Sequence, residues 1–345
     1  MQSREHFGNP TIEQRKLADG DALCLLPEHG IISVQGDDRL GWLHSLLSQN
    51  LKSLQSGEST EALLLDPQGH IEQIIKVIED GNSTWLIVSA EKKNALLDWL
   101  QKMVFRMKVS LHDHSDQLAL VGATKKLSGI AETSNSVELI WKDPWPGVSS
   151  GGYRYSSREV DYNWFEHLLD RAKLELLLEG KELAGTMAHE ALRVAAGKPK
   201  DINEVDEKSL PHELDLLATA VHLTKGCYRG QETVAKVHNL GHPPRRLTFL
   251  HLDGSEHALP DVGDEVVVAG EEKVRGKITS VAQHYEMGPI ALALLARSVS
   301  ETAELEVRGK SGNIAATQEI LVPASAGSVA EIPKLNRLNL SSRKI

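Results

Sequence analysis

The stretch richest in possible chemistry is Lys225-Gly226-Cys227-Tyr228-Arg229-Gly230-Gln231-Glu232. Its two glycines allow a tight backbone path and close approach by another molecule. Residues 231–237 carry a helical pattern, so Cys227 falls just before a helix N-terminus. The partial positive charge there, with Lys225 and Arg229 nearby, is expected to favour the thiolate. A thiolate in a glycine turn can act as nucleophile, redox group or metal ligand, and the residues leave these three open. Cys24, flanked by Leu23, Leu25 and Leu26, reads instead as core. His238 and His242 stand four apart, a zinc-ligand spacing on a continuous helix. Gly241 and Pro243-Pro244 are expected to break that helix, so no stable metal is expected.

The 345 residues carry a formal charge of −10, with 41% hydrophobic, 25% charged and 4% aromatic residues. That is a globular composition with length for about two domains. The acidic balance and scarce aromatics argue against direct nucleic-acid binding. Two cysteines exclude a disulfide framework and point to a reducing cytoplasmic setting. No apolar run approaches the roughly 18 residues of a membrane helix, so no membrane partner is expected.

The elements that must hold these residues read as α+β. Strands are expected at 31–34, 62–65, 71–78, 85–88, 109–111 and 118–122. Helices are expected at 38–54, 92–105, 164–178 and 187–196, the last ending at Gly197 with Pro199 beyond. No dinucleotide or P-loop glycine motif is present. From residue 247 the texture becomes β-rich, with runs at 247–252, 265–268, 276–282, 290–295 and 305–307, as in a small barrel. The expected organisation is a loose start over 1–20, a main region over 21–243 with the cysteine motif at 225–232, a barrel over 244–322 and a polar tail over 323–345.

The motif continues as Thr233-Val234-Ala235-Lys236-Val237-His238-Asn239-Leu240-Gly241-His242-Pro243-Pro244-Arg245-Arg246-Leu247, and this whole run resembles the signature of the YgfZ family of folate-binding proteins, relatives of the glycine-cleavage T protein, an aminomethyltransferase. Gly36-Asp37-Asp38-Arg39 with Trp42-Leu43, Leu192-Arg193 with Ala196-Gly197, Leu210-Pro211-His212-Glu213 and Gly276-Lys277-Ile278-Thr279-Ser280 match in order, so the resemblance spans about residues 21 to 322. It implies N-terminal mixed α/β subdomains around a central cleft that binds tetrahydrofolate, plus a C-terminal β-barrel. It implies a cleft lined by His29, His189 and Arg193, contributions from Lys225, Tyr228, Arg229, Gln231 and Glu232, and Cys227 as the functional thiol. The implied role is assembly, maintenance or repair of iron–sulfur enzymes, including tRNA-modifying ones, with reduced folate and iron–sulfur client or assembly proteins as partners. The alternatives are a folate-dependent aminomethyl- or methyltransferase and a non-catalytic adaptor that binds a protein partner.

Two positions depart from the T-protein pattern. Its paired acids correspond to Glu72 and Gln73, and an amide cannot act as a base. Its pterin-binding glutamate corresponds to Ala195, so either another acid accepts hydrogen bonds from the ring's amino and imino edge, or folate binds more weakly. Glu190 lies nearby in sequence.

Overall fold

The computed structural model describes residues 2–27, 29–255, 258–310 and 312–330. Among these, the helices of eight residues or more are α1 (Pro10–Asp19), α2 (Arg39–Leu46), α3 (Ala90–Met103), α4 (Thr186–Ala195) and α5 (Gln231–Leu240). None is long and apolar enough to cross a membrane. Beyond 330, the polar tail lies outside the described residues.

The first sheet has the spatial order Ser59–Leu65, Ile71–Glu79, Ser83–Ser89, His29–Gln35, Ser110–Asp113, all antiparallel. Ile32, Val34, Leu64, Val77 and Leu86 pack on one face with Trp42 and Leu43 of α2 and Leu96 and Leu100 of α3. Ile31, Leu63, Ile74, Trp85 and Ile87 on the other face join the central core. Burial on both faces explains why these strands are nearly continuous apolar runs.

A second sheet runs Ile140–Lys142, Phe165–Asp170, Leu118–Ala123, Leu23–Leu25, Leu183–Ala184, and only its last pair is parallel. The C-terminal barrel closes in the order Arg245–Leu252, Gly288–Ala296, Val274–His284, Glu265–Val268, Leu305–Gly309, Gly312–Ile320, the last strand pairing back onto the first. Leu250, Val266, Ile278, Leu295 and Val307 fill one barrel cluster. Phe249, Ile290 and Leu292 belong to the central core, so barrel and N-terminal region share one packed interior. The α+β reading with a terminal barrel therefore stands.

Three expectations do not. The start is not loose: α1 is capped by Asn9, and the buried Glu13 carboxylate accepts the N–H groups of Phe7, Gly8 and Gly185. The segment also occupies the N-terminus of α4, since Thr186 and Met187 donate to the carbonyls of Arg4 and Glu5. The helix expected over 164–178 is a strand, Phe165–Asp170, followed by a 3₁₀ turn and one short helical turn. That strand is buried on both faces, which erases the period-two signal. The helix expected over 38–54 stops at Leu46: Leu47 turns extended, and Ser48 bonds Leu63 and Ala220 instead. Sequence reading also missed the closing barrel strand Gly312–Ile320.

Candidate functional site

Between the two sheets, α4 and the helical turn Asp201–Glu204 lies a cleft of about 230 Å³. One wall is aromatic. Trp164 stacks on His189 with ring centroids 4.3 Å apart and planes 16° apart, and Tyr162 stacks behind Trp164 at 6.1 Å. Gly122 makes room for this wall, because a Cβ there would stand 2.0 Å from the Trp164 ring. His189 is carried in by α4, and its Nε2 lies 3.4 Å from the Tyr162 hydroxyl. Burial pushes its pKa down to about 3, so the ring is neutral at physiological pH. His29, at the start of its strand, is pushed down to about 4, by burial first and then by Lys76. As a neutral ring it donates Nδ1–H to the Pro27 carbonyl at 2.6 Å and keeps Nε2 as an acceptor.

The rest of the lining is a band of buried ions. Lys76 donates to both Glu166 oxygens at 2.6 and 2.7 Å, and Trp164 Nε1 donates to the same carboxylate at 3.1 Å. Lys198 donates to both Glu61 oxygens at 2.8 and 3.0 Å and lies 3.3 Å from Asp143. Lys92 pairs with Asp201 at 2.7 Å. Burial pushes Asp143 up to about 6 against the pull of Lys198. Burial would also raise Glu166, but Lys76, by its charge and its hydrogen bonds, holds it below its ordinary value. Such ions stay charged in the interior only because each has a close partner.

Arg193 lines the cleft at 3% exposure, yet its donors are fully committed to protein. They go to Glu190, the Lys198 carbonyl, Glu204 and Ser280 of the barrel strand Val274–His284. It is a clasp between α4, the 198–204 turns and the barrel. The same contacts tie up Glu190, which does not line the cleft.

The cysteine motif lies elsewhere: Cys227, Lys225, Tyr228, Arg229, Gln231 and Glu232 are all absent from the cleft lining. Cys227 is exposed on the loop before α5. The two cations expected beside it are engaged with other groups. Lys225 caps the end of α2 by donating to the carbonyls of His44, Leu47 and Gln49, and burial, with Lys52, pushes it down to about 7. Arg229 pairs with Glu72 at 3.1 Å and lies over Trp99. Tyr228 is 7% exposed, lies under the Lys225 ammonium, and its hydroxyl has no partner among the described residues. Gln231 donates back to the Lys225 carbonyl at 3.2 Å. Glu232 is exposed in the first turn of α5.

One chain of contacts links motif and cleft. Glu72, held by Arg229, accepts Lys92 Nζ on its main-chain carbonyl at 2.9 Å, and the same ammonium holds Asp201 at the cleft. Gln73 is buried and donates to the Lys92 carbonyl at 3.3 Å. The histidine pair behaves as its breakers imply: α5 ends at Leu240, His238 bonds the Tyr155 hydroxyl, and His242 bonds the Ala326 carbonyl.

Sequence reasoning reached His29, His189 and Arg193 but missed Glu61, Lys76, Asp143, Tyr162, Trp164, Glu166, Lys198 and Asp201. Among them only residues such as Lys76, a charge inside an otherwise apolar strand, carried a signal of their own.

No protein-family model matches the chain. It is 27% identical over 243 residues to an iron–sulfur cluster assembly factor IBA57 homolog, mitochondrial, of Mycosarcoma maydis, a match covering 66% of this chain and 56% of that one. It is 24% identical over 290 residues to the tRNA-modifying protein YgfZ of Aliivibrio fischeri, covering 82% and 87%. A chloroplastic Arabidopsis thaliana relative, 27% identical over 298 residues, is matched over 65% of its length. The chain thus spans less than two thirds of some of the curated relatives it matches. Among solved structures, the glycine-cleavage aminomethyltransferase T of Bartonella henselae superposes with a TM-score of 0.69 at 18% identity, over 90% of this chain and 89% of that one, so the two share a fold.

Proposed function

The chain is a relative of the YgfZ proteins and of the glycine-cleavage T proteins, and from that kinship we propose that it is a tetrahydrofolate-binding accessory protein that serves iron–sulfur enzymes in their assembly, maintenance or repair. The observation that carries this reading is the cleft itself, where the Tyr162–Trp164–His189 stack faces buried carboxylates. A pterin is flat and heteroaromatic and carries a row of N–H donors, so it needs a π-surface and acceptors in one small space. About 230 Å³ suits the bicyclic ring, with the aryl and glutamate parts toward the mouth near Lys200.

In this reading Cys227 works outside the cleft. It is exposed, and a Cβ on neighbouring Gly226 would meet nothing within 4 Å, so the protein's own packing does not require that glycine. A partner's backbone can approach there and meet the thiol. Folate occupancy reaches the loop through Asp201, Lys92, Glu72 and Arg229. A transferase of the T-protein type is the weaker reading, because Glu72 is paired with Arg229 and Gln73 is an amide.

Titration with a reduced folate tests the proposal. Tryptophan fluorescence should quench saturably, and Trp164→Phe should lose most of the signal. Cys227→Ser should bind folate as the parent does yet fail to restore iron–sulfur enzyme activity in cells lacking the protein. Absence of saturable binding, or full restoration by Cys227→Ser, overturns the reading.

A further inference from the structure

Asp143 stands where two hollows meet. It lines the cleft and also a second hollow of about 840 Å³ whose walls include Gln49, Ser149 and His222. The residue is 4% exposed. Its Oδ1 accepts the Trp145 N–H at 2.9 Å and faces Lys198 at 3.3 Å, while Oδ2 accepts no hydrogen bond from any described residue.

The other buried carboxylates of the cleft are satisfied. Glu166 takes Lys76 on both oxygens and Trp164 besides. Glu61 takes Lys198 on both and the Thr219 hydroxyl. Asp201 takes Lys92 on one oxygen and the Ile74 N–H on the other. Asp143 lines both hollows and keeps one carboxylate oxygen without a donor among the described residues, so that oxygen is the acceptor a ligand N–H can take.

Ala195, which replaces the glutamate expected to meet the pterin, is not part of the cleft lining. We infer that Asp143 is the acid that binds the amino and ring N–H edge of the ligand in this protein, taking over the task for which Ala195 has no side-chain oxygen. Lys198 keeps the carboxylate charged, and Oδ2 accepts from the ligand's 2-amino group. The inference rests on the folate reading and assigns the orientation of the bound ring: donor edge toward Asp143, at the junction of the two hollows.

The test compares 5-formyltetrahydrofolate with its 2-desamino-2-methyl analogue by calorimetric titration of the full chain and of Asp143→Asn. The wild-type protein should bind the analogue at least tenfold more weakly, and Asp143→Asn should bind the parent ligand more weakly by a similar factor. The two losses should not multiply, since both remove the same contact. Equal binding of the two ligands by the wild type overturns the inference while leaving the folate reading intact. So does undiminished binding by a folded Asp143→Asn, or multiplicative losses. If Asp143→Asn melts early, the wild-type ligand comparison decides alone. No binding of either ligand by the wild type overturns both proposals.

Discussion

Gly230 and Gly69 meet backbone to backbone. Both have positive φ, +80° and +84°, and a Cβ on Gly230 would lie 2.9 Å from the Gly69 Cα and 2.6 Å from the Asp66 carbonyl oxygen. The turn of the first sheet that leads to Glu72 is thereby locked against the start of the cysteine helix. Gly230→Ala should destabilise the protein by roughly 2 kcal/mol or more, adding left-handed strain to a backbone clash that cannot relax by side-chain rotation. Urea unfolding measures this, and an unchanged midpoint would contradict the contact.

The two thiols should differ sharply in reactivity. Cys227 is exposed, while Cys24 is fully buried, and its pKa is pushed up to about 12 by burial and by Glu13. Iodoacetamide on the native protein should modify one equivalent, at Cys227, and the second only after denaturation. Mass spectrometry of peptides after timed labelling checks the order. Rapid native labelling of Cys24 would contradict the packing of the second sheet.

His189 contributes an acid-labile share of stability. Its folded pKa of about 3 lies below the ordinary histidine value, so between these limits the unfolded chain binds more protons. Stability therefore falls as pH drops from about 6.5 toward 3, with a slope of up to ~1.4 kcal/mol per pH unit for this one group. His189→Phe, which keeps a ring against Trp164, should flatten that limb. Melting curves at pH 4.5 and 7.5 give the comparison, and an unaltered pH slope would count against a neutral buried imidazole.

Lys198 is the counter-charge for both Glu61 and Asp143. Lys198→Met should cost about 3–5 kcal/mol at pH 7, because two buried carboxylates lose their partner. Burial already raises the Asp143 carboxyl, and without the pull of the lysine it rises further above its unfolded value, so the penalty is largest at high pH and shrinks as the acid protonates. The variant should recover part of its lost stability on moving from pH 7.5 to 5.5, and a penalty that is flat or grows toward acid would refute the pairing.

Much of the architecture was legible from local patterns. The stop at Gly197 and Pro199, the apolar strands of the first sheet and the β-rich C-terminal third each carry their own turn or period signal. The segment 164–178 was not legible, because Phe165–Asp170 is covered on both faces and its alternation is lost. The short span of α2 was not legible either: Lys225, nearly 180 residues further along, takes the carbonyls at its end.

The order of residues along the chain was enough to single out Cys227 and its glycines, because motif spacing and residue type are local properties, whereas the histidines at 29 and 189 were singled out only by the family resemblance. Tertiary structure alone decided that the thiol lies outside the cleft and that Arg193 and Lys225 are bound to the protein's own oxygens. It also decided that Asp143 keeps an open acceptor beside Lys198. Ion pairing and burial depend on which distant segments converge, and a low-dielectric cleft acquires its electrostatics only when Glu61, Lys76, Asp143, Glu166 and Lys198 are brought together.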